Sequence, residues 1–168
     1  KRIGDASVRL QKAPLQIIDN ISDLTGISAA ILSIAKRDGI KLIVIDYIQR
    51  ITVKGASEGR SFQVAEISRT LKDLAMSTGA AVLGLAQISR GVEKEARAPV
   101  LSDLKDSGAI EQDADVVIFL NPRGERMASE GAQDVDMVIS KNRSGAIGTV
   151  PLSFQFDTTK FTQRNVSP

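Results

Sequence analysis

Leu42-Ile43-Val44-Ile45-Asp46 places four aliphatic residues in succession and stops them with a carboxylate. A run with no polar alternation is what a strand covered on both faces requires, so the stretch predicts a buried strand with Asp46 at its C-terminal end. Working back from it, Thr25 is placed to cap a helix. The apolar positions Ile27, Ala30, Ile31, Ile34 and Ala35 recur at helical spacing until Gly39 ends the pattern. Before that helix, Leu15-Gln16-Ile17-Ile18-Asp19 reads as a short strand. Working forward, residues 51–61 turn to Thr, Gly, Ser and charge and read as a mobile loop carrying Lys54 and Arg60. A second amphipathic helix follows, with Val64, Ile67, Leu71, Leu74 and Ala75 on one stripe and Gly79 at its end. Ala81-Val82-Leu83-Gly84-Leu85-Ala86 is then another buried strand, and Val116-Val117-Ile118-Phe119-Leu120 a third. Two further strands, at residues 135–140 and 149–156, are joined by a basic, Gly-containing turn. Alternating strands and amphipathic helices predict an α/β domain on a mostly parallel sheet flanked by helices.

The composition suits one soluble domain: 168 residues, 42% hydrophobic and 25% charged, with no apolar stretch long enough to span a bilayer and no signal-peptide region. A cytoplasmic protein is expected. With no Cys, His or Trp, the chain has no disulfide, no thiolate nucleophile, no Cys/His metal site and no imidazole acid–base chemistry. What remains is carboxylate, ammonium, guanidinium, amide and backbone, a set suited to phosphate and Mg²⁺. A net charge of +2 permits nucleic acid, and 4% aromatic residues make phosphates a better handle on it than stacked bases.

Four features could carry chemistry. Asp46 at the end of one strand could hold Mg²⁺ or its water, or could simply open a turn. Gln87 ends the next strand, and in a parallel sheet both would lie on the edge where ligands bind; its amide could reach a γ-phosphate, or merely start a loop. Lys141 and Arg143, two apart on extended chain, would project the same way and could clamp a phosphate or stabilise its leaving charge from a neighbouring subunit. A solvated basic turn is the plainer alternative. Between residues 101 and 115, Lys105 and the backbone N–H groups around Ser107 and Gly108 could hold a phosphate, while Ile110 to Asp113 could be a helical turn packed on the sheet.

Taken together, Leu42-Ile43-Val44-Ile45-Asp46-Tyr47-Ile48-Gln49, Glu66-Ile67-Ser68-Arg69-Thr70-Leu71-Lys72, Gln87-Ile88-Ser89-Arg90-Gly91-Val92-Glu93, the block Ser-Asp-Leu-Lys-Asp-Ser-Gly-Ala-Ile-Glu-Gln-Asp-Ala-Asp at 102–115, and Lys141-Asn142-Arg143-Ser144-Gly145 resemble the C-terminal ATPase domain of DnaB-type replicative DNA helicases, in order and spacing, over nearly the whole chain. The resemblance implies a RecA-like P-loop NTPase core using ATP and Mg²⁺. It makes Asp46 the Walker B carboxylate, acting on Mg²⁺ through water, and Gln87 the γ-phosphate sensor. Lys141 and Arg143 become the pair that reaches the ATP of the adjoining subunit in a homo-hexamer. Arg90, Lys105, Asp106 and Gly108 match the loops that touch single-stranded DNA. Primase and a helicase loader are the implied partners, with no membrane.

The sequence departs from that pattern in one respect. It holds no Gly-x-x-x-x-Gly-Lys-[Ser/Thr] and lacks the family's catalytic Glu. The expectation is therefore a partial ATPase domain over 1–168, a piece of a longer polypeptide that lacks the P-loop strand. That strand lies beside the one ending at Gln87, which would be left with an unpaired edge. Such a chain alone is expected to be inactive. A RecA- or RadA-type recombination ATPase is an alternative, but it would not be expected to carry the 102–115 block. A non-catalytic assembly module is another, weighed against by the joint retention of Asp46, Gln87, Lys141 and Arg143.

Overall fold

The hydrophobic stripe of the second predicted helix becomes the centre of the protein. In the computed structural model, which describes residues 2–55, 59–88, 97–104, 108–124 and 131–164, the elements run α1 (Arg2–Lys12), α2 (Leu24–Asp38), β1 (Leu42–Ile45), a 3-10 turn (Ile48–Arg50), α3 (Arg60–Thr78) and β2 (Ala81–Gly84). A second 3-10 turn (Leu101–Asp103), α4 (Gly108–Asp113), β3 (Val116–Pro122), β4 (Ala132–Asn142), β5 (Gly148–Gln155) and β6 (Lys160–Gln163) follow. Val64 and Ile67 of α3 are fully buried, and with Leu71 and Leu74 they meet Leu24 and Ile31 of α2, Ile43 of β1, Ile110 of α4 and Val117 and Phe119 of β3. Each such side chain contributes about 1.5–3 kcal/mol by leaving water. Gly79, in the left-handed region at φ 68°, closes α3 through its N–H to the Ala75 carbonyl, as its position in the sequence predicts.

β1 and β2 pair in parallel, Leu42 opposite Ala81 through Ile45 opposite Gly84. The other four strands form an antiparallel sheet in the order β3-β4-β5-β6. Among the described strands, parallel pairing is thus confined to β1 and β2, and β2 has a partner on one edge only. The expected burial on both faces does not hold. Ile43 is buried against the helices, but Leu42 and Val44 on the opposite face are 57% and 53% exposed. Leu83 of β2 and Ile118 and Leu120 of β3 are also about half exposed. A continuous apolar run signals capacity for two-sided burial, whereas the packing of α2 and α3 fills one side.

Other expectations are corrected locally. Residues 15–19 form no strand: no described strand offers them a hydrogen-bonding ladder, and Ile17 is 81% exposed. α2 is capped by Asp23, whose carboxylate accepts the Gly26 N–H at 2.9 Å, rather than by Thr25. That bond, with nearby Lys54, holds the Asp23 carboxyl below its ordinary pKa. Arg60 is no loop residue but opens α3, and residues 56–58 lie outside the described residues. β6 was not foreseen.

Candidate nucleotide-facing edge and basic hairpin

The parallel register carries Asp46 and Gln87 to one edge. Past the last paired residues, the Leu85 N–H donates to the Ile45 carbonyl (3.0 Å) and the Ile48 N–H to the Leu85 carbonyl (2.9 Å). The turn after Asp46 therefore folds back across β2. Gly84 permits this approach, since a Cβ there would stand 2.7 Å from Ile48 Cδ1. Gln49 then completes the join: its Nε2 donates to the Gln87 carbonyl and its Oε1 accepts the Gln87 N–H, both at 3.2 Å. The side-chain amide thus stands in for one more rung of strand. Arg60 fixes Gln49 in turn, with Nη2 on the Gln49 carbonyl at 2.6 Å and Nη1 on Gln63 Oε1 at 2.8 Å and the Ile51 carbonyl at 3.3 Å. Both Asp46 and Gln87 are exposed, and the Asp46 carboxylate has no hydrogen-bond or ionic partner among the described residues.

Lys141 and Arg143 do act as a pair, but they are engaged within the chain. In the register of β4 against β3, Ser140 is an extra residue between the pairs Ile118–Ile139 and Val117–Lys141. The two cations past this bulge turn onto the C-terminal end of α4. Lys141 Nζ donates to the carbonyls of Glu111 and Gln112, and Arg143 Nη2 to that of Gln112. Cations at a helix C-terminus meet its unpaired carbonyls and the negative end of its dipole. Arg143 Nη1 also lies 3.4 Å from Asp115 Oδ1, and its backbone N–H donates to the Asp115 carbonyl at 2.9 Å. Asp115 is held mainly by Lys72, whose Nζ contacts its two oxygens at 2.6 and 2.7 Å. Lys72 foremost, with Arg143 and Lys141, lowers the Asp115 pKa against the opposing effect of burial.

Of the residues matched to DNA contact, Arg90, Lys105 and Asp106 lie outside the described residues. Gly108 is exposed as the first residue of α4, where an added Cβ would meet nothing within 4 Å. Internal packing therefore does not demand glycine there. Ile88 and Leu104 form an antiparallel bridge. Arg97 forks onto Asp103, Nη1 to Oδ2 at 2.6 Å and Nη2 to Oδ1 at 2.7 Å, while the Val100 N–H donates to Oδ2 at 2.7 Å. These bonds, Arg97 first, hold the Asp103 carboxyl down at about 2.

Sequence reasoning gave no role to Gln49, Arg60, Asp103 or Asp115. Gln49, Asp103 and Asp115 lie inside the stretches quoted for the resemblance, which was the only signal available. No cluster of three or more carboxylate, His or Cys ligands occurs among the described residues. Among the described residues no helix is long and apolar enough to cross a membrane.

The sequence pattern of the DnaB-like helicase C terminal domain matches residues 1–163. The chain belongs to this family. It is 40% identical over 156 residues to the replicative DNA helicase DnaB of Geobacillus stearothermophilus, covering 90% of the chain and 34% of that protein. It is 38% identical over 156 residues to that of Leifsonia xyli, covering 91% and 34%. The chain thus spans about a third of the length of these relatives. A solved structure of a DnaB-like replicative helicase, described with its interactions with primase, superposes with a TM-score of 0.85 at 29% identity, over 98% of this chain and 40% of that one. A KaiC-like archaeal protein at 17% identity and a TM-score of 0.65 shares the fold. The architecture is that of the RecA-like ATPases, and the family match over residues 1–163 favours the helicases over the recombinases.

Proposed function

We propose that this chain supplies part of the motor of a cytoplasmic replicative DNA helicase, one that hydrolyses ATP with Mg²⁺ as a homo-hexamer, moves on single-stranded DNA and separates the duplex. The observation that carries this reading is the tied strand-end edge: Asp46 directly follows β1, and Gln87 lies three residues past β2, which ends at Gly84 rather than at the expected Ala86; Gln49 ties the Gln87 backbone to the turn after Asp46, in a chain matched to the helicase family over residues 1–163.

The chemistry assigned to each group follows from its setting. Asp46 fits Mg²⁺ because it is an exposed carboxylate with no competing cation among the described residues; the ion, when bound, draws charge from the phosphate oxygens. Gln87, an uncharged donor and acceptor, hydrogen-bonds the γ-phosphate or the water in line with it. Lys141 and Arg143 exchange their α4 carbonyls for the phosphate oxygens of the adjoining subunit's ATP, which hold a guanidinium more strongly because both partners are charged. These 168 residues contain no phosphate-cradling glycine loop, so they supply metal, sensor and trans-acting cations, and that cradle is no part of their contribution. Arg90, Lys105, Asp106 and the backbone at Gly108 follow the DNA phosphates without regard to sequence. The likeness to a helicase solved with attention to primase supports primase as a partner, and a loader belongs to the same reading.

The test is made on the whole protein: ATP hydrolysis stimulated by single-stranded DNA, together with ATP-dependent separation of a forked duplex. Assembled rings that hydrolyse ATP but leave the fork intact would overturn the proposal.

A further inference from the structure

The backbone ladder between the two strand ends stops short of Gln87. Its last rungs are the Leu85 N–H on the Ile45 carbonyl and the Ile48 N–H on the Leu85 carbonyl. Two residues further on, a side chain takes over from the main chain: the Gln49 amide meets both the N–H and the carbonyl of Gln87. Pairing with both groups of one residue needs a donor and an acceptor on a single planar group at that reach, which glutamine supplies; glutamate lacks the donor and methionine lacks both. Gln49 is itself held in place. The Arg60 guanidinium reaches its carbonyl at 2.6 Å, and the 3-10 turn around it is closed by the Arg50 N–H on the Tyr47 carbonyl and the Ile51 N–H on the Ile48 carbonyl. Both Gln49–Gln87 bonds are exposed to water, which would satisfy the same groups. Their chief effect is therefore on where Gln87 sits.

We infer that Gln49 is a positioning residue for Gln87: by fastening the Gln87 main chain to the turn after Asp46, it sets the distance between the Gln87 amide and the Asp46 carboxylate, so that both meet one nucleotide. The inference rests on the reading of Asp46 and Gln87 proposed above, and it gives Gln49 no contact with nucleotide. Loss of the amide lets Gln87 sample more positions, few of which bring its side chain to the γ-phosphate. A displacement of about 1 Å in a group that orients a reacting centre can cost about 10²-fold in rate.

A cycle of substitutions in the whole protein separates positioning from support of the fold. Gln49→Met keeps the length of the side chain and loses donor and acceptor; it is compared with Gln87→Ala and with the double variant, by ATP turnover and by ADP affinity. Gln49→Met is expected to lower kcat about tenfold and to leave ADP affinity unchanged, because ADP carries no γ-phosphate for Gln87 to meet. In the Gln87→Ala background the same substitution should change kcat by less than about twofold, since the residue it positions is gone. Support of the fold alone predicts a loss that repeats in full in that background. Wild-type kcat in Gln49→Met would overturn the inference, as would losses that multiply in the double variant or a matching fall in ADP affinity. Gln49→Glu, which keeps the acceptor for the Gln87 N–H and loses the donor, carries the same test should Gln49→Met fail to assemble. If Gln87→Ala turned over ATP at the wild-type rate, it is the sensor reading that would fail.

Discussion

At the strand-end edge, the carboxylate of Asp46 stands exposed with no partner among the described residues, while the backbone beneath it is fastened by Gln49 and Arg60. At the basic hairpin the reverse holds: Lys141 and Arg143 are already bonded to α4 and Asp115, on a loop closed by Asn142, whose Nδ2 donates to the Ala146 carbonyl and whose Oδ1 accepts the Ser144 N–H. One region is a fixed frame around an open group, and the other a pair of cations already in use. The first can accept a hydrated cation without rearranging. The second can serve a ligand only by giving up bonds it holds, so its response to that ligand is felt elsewhere in the chain.

Substitutions can break or sharpen the contrast. The largest effect is expected of Arg143→Ala in the whole protein, with ATP turnover falling by about 10³-fold or more and ATP binding almost unchanged; an equal fall in both would mean that the hairpin binds rather than responds. Asp46→Asn is expected to cut Mg²⁺-dependent turnover by about 10²-fold with no change in melting temperature, since the carboxylate has no partner among the described residues. A marked loss of stability would make it a structural residue and erase the contrast. Gln49→Ala removes the amide rung and should cost about 1 kcal/mol in urea unfolding, an effect absent if the frame needs no fastening at Gln87.

The smallest effect belongs to Asp115→Asn, and its sign follows from linkage. Lys72 lowers the folded-state pKa of Asp115, so the stabilisation is present above the ordinary carboxylate range and lost as pH falls through the lowered value. The stability difference between wild type and variant should therefore be small near neutral pH, shrink with added salt and vanish in acid. A difference that persisted in acid would place its origin outside the ion pair.

Legibility in the sequence followed the range of each interaction. β1, α3 and its glycine stop were readable because period, branching and caps are local, and the i, i+2 spacing of Lys141 and Arg143 correctly placed both on one side. What they grip was hidden: the carbonyls of Glu111 and Gln112 lie about thirty residues away, and main-chain acceptors leave no mark in sequence. Asp23 displaced Thr25 as the cap because the chain entering α2 is pinned to Thr52 by the Leu24 N–H and the Ser22 carbonyl, a long-range contact that moves the helix start. The one-sided sheet face was missed for a similar reason, as apolar residues show what could be covered and only packing shows what is. Asp46 and Gln87 could be singled out because each follows an apolar run, whereas Gln49 and Arg60, which fasten that edge, act mostly through backbone partners.

Helix α4 runs only from Gly108 to Asp113, about 9 Å at 1.5 Å per residue, too short to bend. Its first residue adjoins segment 105–107, and its last turn is gripped by Lys141 and Arg143. A ligand that drew Arg143 away from Gln112 would free one end of a strut whose other end is Gly108, itself one of the residues matched to DNA contact. Binding at the two ends would then be linked, and linkage is reciprocal: whatever factor the first ligand imposes on the affinity of the second, the second must return to the first.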